Sequence, residues 1–214
     1  MLNIPQELEA KIDNLDGDLQ SLINKLIKTN EKSAHRLDKI IKQSDAQQLS
    51  LIKLNNELKI VSETDKLTSL FNRLKCEEIL TSLVTQHKSF KIMIIDVDNF
   101  KHLNEKFDIL IANKVLVQLS KIIKKSLKQK SILGRWSGDT FMIIDENSTL
   151  DEIIDTAEEI CDNVEDYFFD DVGQVTVSIG VASIPNKTNL SSIVKAFESA
   201  LNKAKSNGKN QVSV

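Results

Sequence analysis

The sequence predicts a mixed α/β (α+β) sheet domain preceded by a helical segment, and three stretches carry that expectation. Residues 6–61 place apolar side chains at helical spacing. Phe90-Lys91-Ile92-Met93-Ile94-Ile95-Asp96-Val97-Asp98 is almost continuously apolar until its acids, as in a strand buried on both faces. Residues 132–144 form two apolar runs joined by Ser137-Gly138-Asp139-Thr140, small and conformationally permissive residues that suit a β-hairpin turn. With a further strand over 174–183, four strands separated by helices, the hairpin at their centre, make a sheet domain rather than a bundle. The expected division is a helical segment over 1–63 and a sheet domain over 64–214.

Taken in order, Leu8, Ile12, Leu15, Leu19, Leu22 and Leu26 alternate steps of four and three, a heptad seam. After Leu26 the seam slips by one and weakens through Ala34, Leu37 and Ile41, so the segment is either a coiled coil with a stutter or a helical hairpin. Gly17, inside the first part, costs about 1 kcal/mol relative to Ala and disfavours one rigid rod. Either way the stripe has no core of its own and needs a partner. Thr64 to Arg73 is a joint rich in capping residues, followed by an amphipathic helix over about 74–87. After the apolar strand, Asn99 can cap a short helix carrying Phe100 and Leu103. Further helices are expected over 110–127, 150–167 and 190–206, with Gly208 stopping the last and a short edge strand over 211–214.

Composition excludes several classes. The 214 residues are 41% hydrophobic, enough for a real core, and a net charge of −3 lacks the basic face of a nucleic-acid binder. Lysines from Lys121 to Lys130 read first as the solvated face and C-terminal turn of a helix and second as a phosphate-binding patch. Cys76 and Cys161 stand far apart without metal-ligand spacing, so both are expected to be buried fillers. The start carries no signal-peptide pattern and no run reaches the ~20 apolar residues of a membrane span, so a cytoplasmic location is expected.

The acids suggest chemistry. If the strand ending at Asp96 neighbours the hairpin, Asp96 and Asp139 can approach and offer two carboxylates to a hard divalent cation such as Mg²⁺ beside nucleotide phosphates. Five motifs then stand in register: Asp65-x-Leu-Thr-x-Leu-x-Asn-Arg73, Asp96-Val-Asp-Asn-Phe-Lys-His-Leu-Asn104, Arg135-Trp-Ser-Gly-Asp-Thr-Phe141, Val177-Ser-Ile-Gly-Val-Ala182 and Ala200-Leu-Asn-Lys-Ala-Lys-Ser-Asn-Gly-Lys-Asn210. On these motifs the chain resembles, from about Asp65 to Val212, the GGDEF family, the bacterial diguanylate cyclase domain. The resemblance implies a polymerase-palm, nucleotidyl-cyclase-like core that holds one GTP. Two such domains would meet so that each 3′-hydroxyl attacks the other's α-phosphate, giving cyclic di-GMP. It further implies Asp96, Asp139 and the Val97 carbonyl as ligands of Mg²⁺ or Mn²⁺, with Asp139 the acid left for catalysis. Asn104 would bond the guanine edge, and Lys205 and Lys209 the phosphates, Lys209 standing where the family commonly has Arg.

Departures from the family pattern shape the functional expectation. Gly-Gly-(Asp/Glu)-Glu-Phe becomes Ser137-Gly138-Asp139-Thr140-Phe141, and Thr140, neutral and without a usable pKa, replaces an acid of metal and catalytic importance. Asn113 replaces an acid that would accept from guanine, and the family's two glycines near it become Asp108 and Ala112, with Ile109 in place of its His. The product-binding Arg-x-x-Asp falls on Lys128-Gln-Lys-Ser131, so that inhibitory site is expected to be absent. The expectation is a degenerate GGDEF signalling protein, catalytically impaired, acting as a regulatory or partner-binding module with residual GTP and metal binding. An active diguanylate cyclase and a structural scaffold built on the N-terminal helices are the alternatives. Expected partners are GTP and, through those helices, another protein or a second copy.

Overall fold

The computed structural model describes residues 16–127 and 130–214, and the chain divides into two compact units, residues 1–59 and 60–214. Helix α1, Gly17–Glu63, is a continuous α-helix of 47 residues. The break into a helical hairpin after Leu26 does not occur: no glycine or proline lies between Asp18 and Glu63 to interrupt the hydrogen-bond ladder. Gly17 opens the helix instead of interrupting it, its N–H donating to the Asp16 carboxylate. Leu19, Leu22, Leu26, Leu37 and Ile41 are all more than half exposed along it, while Leu8, Ile12 and Leu15 of the expected seam lie outside the described residues.

The second unit is a sheet with helices on both faces. Its elements are α2 (Arg73–Thr85), β1 (Phe90–Val97), α3 (Phe100–Lys106), α4 (Ile109–Ser126), β2 (Ile132–Ser137), β3 (Thr140–Asp145), α5 (Leu150–Glu165), β4 (Phe168–Phe169), β5 (Gly173–Gln174), β6 (Val177–Ile184), α6 (Leu190–Ser206) and β7 (Val212–Ser213). The five-stranded sheet runs β2-β3-β1-β6-β7, antiparallel except for β6 with β7. The hairpin is therefore not central. Its β2 is an edge, and β1, the strand apolar on both faces, takes the middle, where burial on both sides rewards such a sequence. The β4–β5 pair is a second small sheet, too short for any periodic signal.

Alternation along β1 builds two cores. Met93, Ile95 and Val97 join buried residues of α4 and α5, while Ile92 and Ile94 join those of α2 and α6. Each such side chain contributes about 1.5–3 kcal/mol when fully buried. Helix starts are tied down by side chains: Asn72 accepts from Lys75 N–H, Asn189 from Ser192 N–H, and Thr149 with Glu152 forms a reciprocal capping box. Both cysteines are buried, and burial pushes the Cys76 thiol up to about 11 and that of Cys161 to about 12. On the second face α6 lies so close to β6 that a Cβ on Gly180 would stand 2.8 Å from Leu201 Cα.

Candidate functional site

The strand ends bring the acids together. Asp96 and Thr140 are register partners on β1 and β3, and the Asp139 carbonyl accepts from Val97 N–H at 3.4 Å. The two-residue turn between β2 and β3 carries Gly138 at φ +43, a left-handed conformation that glycine adopts without strain. That turn sets Asp139 beside Asp96 without further loop structure.

Asp96 is buried and both of its oxygens are engaged. Lys205 Nζ, from the last turn of α6, lies 2.6 Å from Oδ1, and Thr140 Oγ1 donates to Oδ2 at 3.1 Å. Burial, and then the Asp96 carboxylate, push the pKa of Asp139 up; Lys205 and Arg135 pull it down and offset this in part. Lys209 sits at φ +66 and donates to Asn99 Oδ1 at 2.6 Å. Asn99 is consequently not the side-chain cap expected of it: it too is left-handed, and only its carbonyl serves the α3 N-terminus, accepting from Leu103 N–H. Asp98 is taken up structurally, accepting from Thr176 and Ser178 hydroxyls at 2.7 Å each and from Asn210 N–H at 3.0 Å.

Asn104 is exposed on α3 and Asn113 half-buried on α4, and among the described residues neither is hydrogen-bonded to the acids or lysines. The structure thus joins Asp96, Val97, Asp139, Thr140 and Lys205. Lys128 and Gln129 of the expected product motif lie outside the described residues.

Two residues that hold the site in place were legible only as parts of separate motifs. Arg135 donates to the Gly138 carbonyl through Nε at 2.8 Å and Nη2 at 2.6 Å, and through Nη1 reaches Asp65 Oδ1 at 3.1 Å. Asp65, in the joint after α1, also accepts from Thr68 N–H and Oγ1, and these bonds with Arg135 outweigh burial and hold its pKa below the usual carboxylate range. The guanidinium fork therefore ties the hairpin turn to the joint.

As to a cation, Asp96, Asp139 and the Val97 carbonyl would be hard oxygen donors, and the burial and the Asp96 charge that raise the Asp139 pKa are what a divalent ion would offset. Among the described residues no group of three or more His, Cys, Asp or Glu side chains could hold a metal by itself. The chemistry of these donors suits Mg²⁺ or Mn²⁺, with water or phosphate needed to complete the coordination and Asp96 having to part from Lys205.

A family model described as "Diguanylate cyclase, GGDEF domain" matches residues 62–211. The chain belongs to the GGDEF family. Among curated GGDEF-containing relatives, the Diguanylate cyclase DgcM of Escherichia coli (strain K12) is 27% identical over 164 residues, 75% of this chain and 40% of the relative. A Diguanylate cyclase of Vibrio cholerae is 28% identical over 167 residues, 75% of this chain and 52% of the relative. The chain thus spans about half the length of the curated relatives it matches. Among solved structures, the coiled coil and GGDEF domain of DgcB from Caulobacter crescentus in complex with c-di-GMP gives a TM-score of 0.76 at 22% identity, covering 83% of this chain and 98% of that one. At that identity the likeness is one of fold. Diguanylate cyclase SiaD from Pseudomonas aeruginosa, solved with its activator SiaC, gives 0.69 at 27% identity, covering 96% of this chain and 82% of that one. The GGDEF fold is therefore seen with a helix ahead of the sheet, as here, and among the described residues no helix is long and apolar enough to cross a membrane.

Proposed function

We propose that this chain is a degenerate GGDEF signalling protein, impaired as a cyclase and acting as a regulatory or partner-binding module that keeps weak GTP and metal binding. The observation that carries the reading is Thr140. It occupies the place of the family's second acid, and its hydroxyl is spent on Asp96 at 3.1 Å. A neutral donor there supplies no charge for a cation and no base for a hydroxyl nucleophile. Asp96, Asp139 and the Val97 carbonyl would hold one Mg²⁺ or Mn²⁺, which supplies charge neutralisation at the phosphates when bound. Lys205 and Lys209 would bind phosphate oxygens as point charges, and Asn104 would orient the guanine. Asn113, with one donor and one acceptor, serves the guanine edge less well than an acid. The functional division proposed is 1–63 for partner or self association and 64–214 for the nucleotide pocket, the exposed stripe of α1 being what a second copy or another protein would cover.

An active diguanylate cyclase is the second reading, favoured by the surviving pair Asp96 and Asp139 and by relatives bearing that name. Product formation separates the two. Purified protein with GTP and Mg²⁺ or Mn²⁺ should give no cyclic di-GMP above background by chromatography, since a missing carboxylate at such a site costs roughly a thousandfold in rate. Thr140→Glu combined with Asn113→Asp should exceed either single variant, because they act on opposite ends of one nucleotide. Robust wild-type turnover would replace the proposal with the second reading.

A further inference from the structure

We infer that Lys205 is a built-in competitor of the divalent cation: its ammonium neutralises Asp96 while nucleotide is absent and moves to the phosphates when nucleotide arrives, so cation and GTP bind cooperatively. The inference rests on the reading that Asp96 and Asp139 form a cation site. Lys205 Nζ stands 2.6 Å from Asp96 Oδ1 and Thr140 Oγ1 donates to Oδ2, so a metal approaching this carboxylate meets a like charge already in contact with it. Mg²⁺ needs an oxygen at about 2.0–2.1 Å, which an ammonium already in contact with that oxygen denies it by charge and by volume. An acid at position 140 would have offered the ion a third carboxylate; the threonine instead donates to Asp96 Oδ2.

The two partners differ in their freedom to move. The Asp96 side chain, 13% exposed, sits at the end of the central strand, whereas that of Lys205, 36% exposed, ends the last turn of α6 and can swing outward on its flexible stem. Lys209 is held by the neutral amide of Asn99, so among the two site lysines only Lys205 is spent on a carboxylate. A triphosphate that draws Lys205 away exposes Asp96 Oδ1 to the cation, and by linkage the cation favours the triphosphate to the same degree.

The test measures Mn²⁺ binding to the full chain by electron paramagnetic resonance, without nucleotide and then with a non-hydrolysable GTP analogue, discounting binding that survives Asp139→Asn. Without nucleotide, Lys205→Gln should bind Mn²⁺ about tenfold tighter than wild type or more, the effect of removing a like charge at contact distance. Lys205→Arg, which keeps the charge, should stay near wild type, and the analogue should narrow the gap between wild type and Lys205→Gln. Melting curves of each variant verify folding. Equal or weaker Mn²⁺ binding by folded Lys205→Gln would overturn the competition while leaving the cation site standing. No Mn²⁺ binding by either protein, with or without the analogue, would remove the cation site and the competition together.

Discussion

Asp139 is ionised at a disadvantage, because burial and then the Asp96 carboxylate push its pKa up and the nearby Lys205 and Arg135 offset this only in part. A folded-state pKa above the unfolded value means that this group's contribution to stability is fully present below about pH 3.9 and is lost as pH rises through the folded value. Asp139→Asn should therefore raise the melting temperature at pH 7, with the difference from wild type shrinking toward pH 4. The same variant should abolish any rise produced by Mn²⁺ with GTP, since ligands stabilise only the state that binds them. A lower melting temperature for Asp139→Asn at pH 7 would show that the turn, not the carboxylate repulsion, dominates at this residue. Asp145 has the opposite sign: burial is outweighed by donors from Ser131, Ser148 and Asn147, which hold it below the usual range, so its contribution is lost only as pH falls through the folded value.

Among the elements, α6 has little tolerance for displacement, because it brings Lys205 to Asp96 while lying almost on the β6 backbone. Gly180 makes that approach possible, and an added methyl would collide with Leu201, whose backbone cannot swing aside as a side chain would. Gly180→Ala should cost about 1–3 kcal/mol and lower the melting temperature by several degrees. An unchanged melting curve would mean that α6 can lift from the sheet. The hairpin is secured differently, by the Arg135 fork between the Gly138 carbonyl and Asp65, two groups from motifs 70 residues apart.

For the whole molecule the contrast is between a unit that buries its apolar faces and a helix that leaves Leu22, Leu26, Leu37 and Ile41 about 60% exposed. Covering a stripe of that length by association is the role proposed for the helix. Deleting residues 1–59 should lower the number of chains per particle measured by light scattering, while the remainder keeps its circular dichroism per residue, since both of its cores are built from residues 60–214. The same number of chains per particle before and after deletion would show that the helix recruits no second copy.

Periodicity alone made most elements legible: the apolar run of β1, the turn of the hairpin and the amphipathic helices α4, α5 and α6 are local patterns, and local patterns are what one sequence displays. The ordered motifs likewise pointed to the family and to Asp96, Asp139 and Lys205. Tertiary structure alone decided which strand is central, that α1 is unbroken, and that Asn99 holds Lys209 instead of capping α3. It alone decided, too, that Asp96 is already occupied by Lys205 and Thr140, residues 109 and 44 positions away along the chain. Such pairings depend on how two helix faces and three strand ends meet in space, and sequence spacing carries no term for that distance.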